Sequence, residues 1–209
     1  METCRVYCSG PLFCAEEVGG MSAIASVLEA AGFATFLPHR DGLEAYVLRM
    51  AGMPTPKPLA PLRARIDMAI FSLDAFELLE RCAAVVCNLN GRVPDEGMIV
   101  EASLAYAAAR PLVLFKDDMR APFAGHDNSM LTSLAKGRII NKINEIPAAV
   151  REALSRKTAR CPLSGELMEA VAYGRRISSV LERLPREAGK KRWSDEVLSR
   201  VMEEALTEQ

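Results

Sequence analysis

The chain is short of the residues that most often bind metals or move protons at neutral pH: 209 residues include only two histidines, His39 and His126. No ligand-spaced cluster of histidine and cysteine exists, so no metal centre is expected. The six cysteines, Cys4, Cys8, Cys14, Cys82, Cys87 and Cys161, contain no C-x-x-C pair. Several stand in apolar runs, such as the one between Cys82 and Cys87, where a thiol packs as a small hydrophobe. Reduced, mostly buried cysteines are expected. Charge of one sign is also lacking: the formal net charge is -1. That gives no field for a polyanion and argues against nucleic acid as a partner. No apolar run approaches the roughly 18 residues needed to cross a bilayer. The N-terminus, with Glu2 and Arg5, has no unbroken apolar core of a secretory signal. A cytoplasmic protein without membrane contact is the expectation. There is no internal repeat and no low-complexity segment.

What is present is apolar material, 50% of the residues, enough for one full core. The first two-thirds alternates short β-rich runs with longer amphipathic ones, the pattern of a parallel sheet covered by helices. Strands are predicted at Val6–Ser9, Ala34–Leu37, Ala83–Leu89, Leu112–Phe115 and Arg138–Ile140. A helix carrying Met21, Ile24, Ala25, Leu28 and Ala31 on one stripe stops at Gly32. Further helices are predicted at Pro61–Arg81, Asp95–Ala109, Ser129–Leu134 and Ile146–Arg156. Residues 39–59 hold Gly42, Gly52 and three prolines and read mostly as a loop. The fold class is α/β: an open, doubly wound, five-stranded parallel sheet of flavodoxin-like (Rossmann-like) type spanning 1–160. A helical C-terminal extension, 161–209, follows the break at Pro162, with helices at Glu166–Leu184 and Ser194–Thr207. Ser194 is a good N-cap, and Lys190-Lys191-Arg192 between the helices reads as a solvated linker.

Doubly wound sheets bind ligands beyond the C-terminal ends of their strands. The loops there are 10–14, 39–42, 88–97 and 116–128. Glu101 is the one charged residue from Gly97 to Ala109, on a helix apolar nearly all round. Such a helix packs inside, where a lone carboxylate is costly unless it is used or paired. The alternative is an exposed sliver, or pairing with an arginine such as Arg120. Asp95 suits a helix cap and also lies at the end of the third strand. Asp74 and Asp67 border the buried stripe of their helix. Carboxylates converging on one crevice without histidine or metal suit chemistry at an acetal-like carbon. One attacks the anomeric carbon and another protonates the leaving group, the two carboxylates of a retaining enzyme standing about 5 Å apart.

Val6-Tyr7-Cys8-Ser9-Gly10-Pro11-Leu12-Phe13 resembles the opening strand and loop of the nucleoside 2-deoxyribosyltransferase family. Phe33–Gly42, Ile70–Asp74 and Cys82–Val86 are similar to its next elements, and Asp95-Glu96-Gly97-Met98-Ile99-Val100-Glu101 to its Asp-x-Gly-Thr-Ala-Phe-Glu signature. Lys116–Arg120 and Asn128-Ser129-Met130 match later ones, so the resemblance covers about residues 3–140 in order. It implies Glu101 as nucleophile, Asp95 as a base-contacting carboxylate that helps proton transfer, and Tyr7 as the residue orienting Glu101. It further implies that Asp74 binds the nucleobase, and that Gly10, Phe13, Gly97, Met98 and Met130 lie along the substrate. Asn128 would reach the sugar in a neighbouring subunit's site, because family sites are completed across an oligomer interface. The partners implied are a nucleoside, a nucleobase and further copies of the chain, a dimer or higher; no cofactor is implied. Met98, Val100 and Ser103 depart from the usual Thr, Phe and Gly, and Ala83 stands where aspartate is common. Two alternatives stay open. One is a hydrolase of nucleosides or nucleoside 5'-monophosphates; the apolar-then-acidic loop Pro11–Glu17 argues against a phosphate on the substrate, and His39-Arg40 argues for one. The other is a non-catalytic nucleotide-binding or interaction module.

Overall fold

A computed structural model describes residues 3–44, 47, 63–91, 93–120, 127–156, 161–188, 200, 203 and 204. Five parallel strands form one sheet: β1 (Arg5–Ser9), β2 (Ala34–Phe36), β3 (Ala84–Asn88), β4 (Leu112–Phe115) and β5 (Ile139–Ile140). Their order is β2-β1-β3-β4-β5, with Tyr7 beside Val85 and Ser9 beside Cys87 in the central pair. The order reverses between β1 and β3, the switch point at which such sheets open a crevice. This is the flavodoxin-like α/β arrangement expected from the sequence.

The strand period of two sorts the side chains. Val6, Cys8, Val86, Val113, Phe115 and Ile140 share one core with α1 (Ala15–Ala30) and the helix Ile146–Ser155. Tyr7, Ser9, Val85, Cys87 and Leu114, one step out of phase, are buried on the other face, where the helix Glu96–Ala107 lies. That helix buries Met98, Ala102 and Ala105 but exposes Ile99, Val100 and Tyr106. An apolar sequence all round therefore does not enclose it: one face covers the sheet and the other meets solvent. Gly10, at the end of β1, turns tightly over β3; a Cβ there would lie 2.8 Å from Asn88 Cβ and 2.6 Å from Met21 Sδ.

The described chain divides into two compact units. The first is Met1–Leu37 with Leu78–Pro162, and the second is Pro38–Glu77 with Leu163–Gln209. In the second unit, α2 (Pro38–Asp41) makes a helical turn where a loop was expected, because Pro38 presets the first helical position. The predicted helix Pro61–Arg81 is α3 (Arg63–Phe76), continued as a π-helical segment, Glu77–Arg81. Ile66, Ala69 and Leu73 of α3 pack against Tyr173, Ile177, Leu181 and Leu184. Those four belong to the helix Gly165–Ala188. The remaining helices, in chain order, are α4 (Glu96–Ala107), α5 (Ser129–Leu134), α6 (Ile146–Ser155) and α7 (Gly165–Ala188). The helix expected at Ser194–Thr207 and the basic triplet before it lie outside the described residues, apart from Arg200, Glu203 and Glu204. No described helix is long and apolar enough to cross a membrane.

Candidate active site

Glu101 sits on the second turn of α4, half-buried, three residues after Met98, on the side of the helix that faces the sheet. Two hydroxyls from β1 reach it. Tyr7 donates to Oε1 at 2.6 Å, and Ser9 donates to Oε2 in a very short bond. Both contacts follow from the strand period, since Tyr7 and Ser9 are two residues apart and share the α4 face. The Tyr7 ring is itself held by stacking on Phe36, with centroids 5.3 Å apart and the Arg5 guanidinium over Phe36's ring at 5.0 Å. Cys87, beside Ser9 on β3, is fully buried. Burial first, and the Glu101 carboxylate second, push its thiol well above the ordinary range, so it stays neutral. Arg120 pairs with Asp118 rather than with Glu101.

Asp95 caps α4: its backbone is extended, and Oδ2 accepts from Met98 N–H at 2.7 Å. The cap holds the Asp95 carboxylate at the mouth of the same helix. Gly97 is exposed at that mouth, whereas the Met98 side chain is fully buried beneath the helix, so only its backbone faces the cap. The loop after β3 is locked to the loop after β4. Asn90 accepts from the N–H groups of Asp117 and Asp118 (3.0 and 3.2 Å) and donates to Asp117 at 2.6 Å; Gly91 N–H donates to Asp118 at 3.0 Å. Hydrogen bonds from the Arg120 side chain and backbone hold Asp118 well below the usual carboxylate range. Asn128 caps α5 through Met130 N–H at 2.9 Å. Phe13 and Met130 stand out into solvent, 81% and 82% exposed, beyond the strand ends.

The amides that open α1 are occupied from within. The Glu17 carboxylate accepts from Phe13 N–H at 2.7 Å and Cys14 N–H at 3.1 Å, filling the place where such a loop would receive a phosphate. In the second unit, Arg40 is engaged by Asp41 at 2.8 Å, and burial together with Arg40 lowers the His39 pKa, keeping its ring neutral. Asp74 is buried in that unit, and its carboxyl hydrogen-bonds Glu44. Glu44 was not foreseen. Burial raises its pKa, and the bond to Asp74 only partly opposes this. A carboxyl whose folded pKa is raised contributes stability that is complete below its unfolded pKa and lost as pH rises through the folded one. Glu44→Gln is therefore expected to melt above the wild type at pH 8 and to converge with it near pH 4. Thermal scans across that range check this, and a lower melting temperature for the variant at pH 8 would count against it.

Glu101, Tyr7 and Ser9 thus meet in one cluster, with Asp95 and Gly97 at the start of the same helix. Ser9 was the omission, although its spacing from Tyr7 already puts it on the same strand face. Among the described residues, no group of three or more His, Cys, Asp or Glu is placed to hold a metal ion.

Residues 6–135 match the family model described as "Nucleoside 2-deoxyribosyltransferase". None of the curated proteins compared with the chain matches it. Among solved structures, a conserved protein from Enterococcus faecalis V583 is similar at 16% identity, with 72% of this chain and 98% of that one covered and a TM-score of 0.53. A 2-deoxyribosyltransferase from Bacillus psychrosaccharolyticus also superposes at 16% identity, covering 68% of this chain and 90% of its own, with a TM-score of 0.47.

Proposed function

The chain belongs to the nucleoside 2-deoxyribosyltransferase family, and from that premise we propose that it cleaves the N-glycosidic bond of a 2'-deoxynucleoside and passes the deoxyribosyl group to another nucleobase. The observation that carries this reading is the grip of Tyr7 and Ser9 on Glu101. Two hydroxyls that donate to a carboxylate fix its rotamer and aim a lone pair at whatever enters the crevice. In the proposed first step, a Glu101 oxygen bonds to C1' as the C1'–N bond breaks. The bonding electrons leave with the base, which takes a proton at its ring nitrogen from Asp95. In the second step, an incoming base attacks C1', Glu101 leaves as carboxylate, and Asp95 receives the proton. Asp74 is the proposed hydrogen-bond partner of a nucleobase.

The free nucleoside is favoured over the 5'-monophosphate by the acid at the α1 loop, where Glu17 already takes two backbone donors. An anion in that place would meet repulsion instead of a cradle. A homo-oligomer with shared sites is proposed on the apolar residues left exposed around the strand ends and the start of α4, namely Phe13, Val100, Met119 and Met130. Light scattering that returns the mass of a single chain would remove that part.

Incubation of the protein with a deoxynucleoside and a different free base, followed by chromatography, tests the reaction. A new deoxynucleoside supports transfer; free base and deoxyribose without exchange would turn the reading to a hydrolase. Absence of turnover would turn it to a binding module. Tyr7→Phe and Ser9→Ala each remove one hydrogen bond to a charged group. The expected effect is a kcat loss of roughly 10- to 100-fold with KM nearly unchanged. A rise in KM alone would show that these hydroxyls bind substrate rather than orient Glu101.

A further inference from the structure

Three helices of the first unit end near the N-terminal edge of β4, away from the cluster of Tyr7, Ser9 and Glu101. Among those helix ends and the β4–β5 edge lies a cavity of about 260 Å³. Its walls are apolar, with Val113, Leu134, Ile140, Ala149 and Ala153 among them. For scale, a dry apolar cavity of about 150 Å³ admits benzene, so this one has room for a ring with a substituent.

The polar side chains around it are almost all of one sign. Arg110, Lys136, Arg138 and Arg156 line the cavity, and no acidic residue does among the described residues. Glu152 stands close by and pairs with Arg138 at 2.5 Å and Arg156 at 2.7 Å, which offsets one charge. The helix ends contribute negative partial charge, about half a unit each and falling off within a turn. Their carbonyls are taken up by closing turns, such as Arg110 N–H to Ala105 O at 2.8 Å and Gly137 N–H to Thr132 O at 2.9 Å. Lys136, Arg138 and Arg156 against the one carboxylate of Glu152 and these screened ends leave the mouth positive.

The backbone at this place is also unusual. Ala109 and Lys136, with φ of 52° and 56°, are the non-glycine residues with left-handed backbone among the described residues, and both line the cavity. Left-handed backbone outside glycine persists only where the surroundings impose it. Here it ends two helices abruptly enough to leave space between them.

We propose that this cavity is a second ligand site, separate from the Glu101 crevice, for a small organic anion: one flat apolar ring bearing a carboxylate. The ring enters among Leu134, Ile140 and Ala153, and the carboxylate meets Arg110 and the cations at the mouth. Guanidinium groups suit the task, since their planar forks match a carboxylate with two parallel hydrogen bonds.

The test is a fluorine NMR titration of the full chain with 4-(trifluoromethyl)benzoate, beside its uncharged benzamide analogue. Saturable binding is expected for the benzoate, at least tenfold tighter than for the amide and undiminished by excess deoxynucleoside. Ala153→Phe, which fills the cavity, is expected to abolish binding. Arg110→Gln, which fills nothing, is expected to weaken it about fivefold or more, and it keeps the proposal testable if the phenylalanine variant misfolds. Equal binding of the amide, displacement by the nucleoside, or benzoate binding that survives both substitutions would each overturn the proposal. So would an absence of binding, including the case in which a second copy of the chain covers the mouth and light scattering shows a dimer.

Discussion

Replacement of Glu101 by alanine is expected to lower the rate of glycosidic cleavage by roughly 10³-fold or more, about 4 kcal/mol of barrier. The size follows from what is removed. In the proposed mechanism Tyr7 and Ser9 only aim the carboxylate, so losing either would leave a misdirected nucleophile, whereas losing Glu101 would leave none. The nearest thiol, Cys87, is buried and held neutral, so it offers no substitute. Glu101→Gln keeps the volume and one acceptor oxygen for the β1 hydroxyls, and it is expected to be as inactive as the alanine variant while melting close to the wild type. Single-turnover kinetics with chromatography of the products measure the rate, and thermal scans exclude unfolding as the cause. A variant within tenfold of the wild type would leave Glu101 a structural carboxylate, and the binding-module reading would then stand.

The legible part of this molecule was the part written in short-range periodicity. Five apolar runs of strand length became the five strands within a residue or two at each end, because a strand of a buried parallel sheet has little freedom to be anything else. Asp95 as a cap, and Glu101 as the charged residue of an apolar helix, were readable for a similar local reason. What the sequence concealed depends on pairing across distance. Ser9 needed the register of β1 against α4 in addition to its spacing from Tyr7. Glu44 meets Asp74 from thirty positions away, across a segment whose prolines and glycines carry no period. The outer face of α4 misled for the opposite reason. Val100 and Tyr106 are as apolar as Met98 and Ala102, yet hydropathy alone cannot say which face the sheet takes. Met98, placed along the substrate by resemblance, is fully buried instead, since the turn capped by Asp95 directs it inward.

The second large effect is one of stability, at the crossing of α3 and α7. Gly174 lies mid-helix, where exchange for alanine would ordinarily add about 0.5–1 kcal/mol of stability. Here a Cβ would stand 1.8 Å from Ser72 O, 2.5 Å from Ser72 C and 2.8 Å from Phe76 Cβ. Two of those atoms are backbone and cannot swing aside. The helices would have to separate, loosening Ile66 and Leu73 from Tyr173 and Ile177 and stretching the buried Ser178–Glu77 hydrogen bond, now 3.0 Å. Overpacking costs about 1–3 kcal/mol where side chains can adjust, and rigid backbone puts Gly174→Ala at about 3 kcal/mol or beyond. For a chain of this size that lowers the melting temperature by roughly 6–12 °C. Gly19 supplies the contrast: it is helical too, but a Cβ there meets nothing within 4 Å. Gly19→Ala is therefore expected to raise the melting temperature by a few degrees, from the same change of one methyl group. Opposite signs from the two variants in parallel thermal scans would establish the close crossing. A stabilised Gly174→Ala would mean that the two helices do not touch through Ser72.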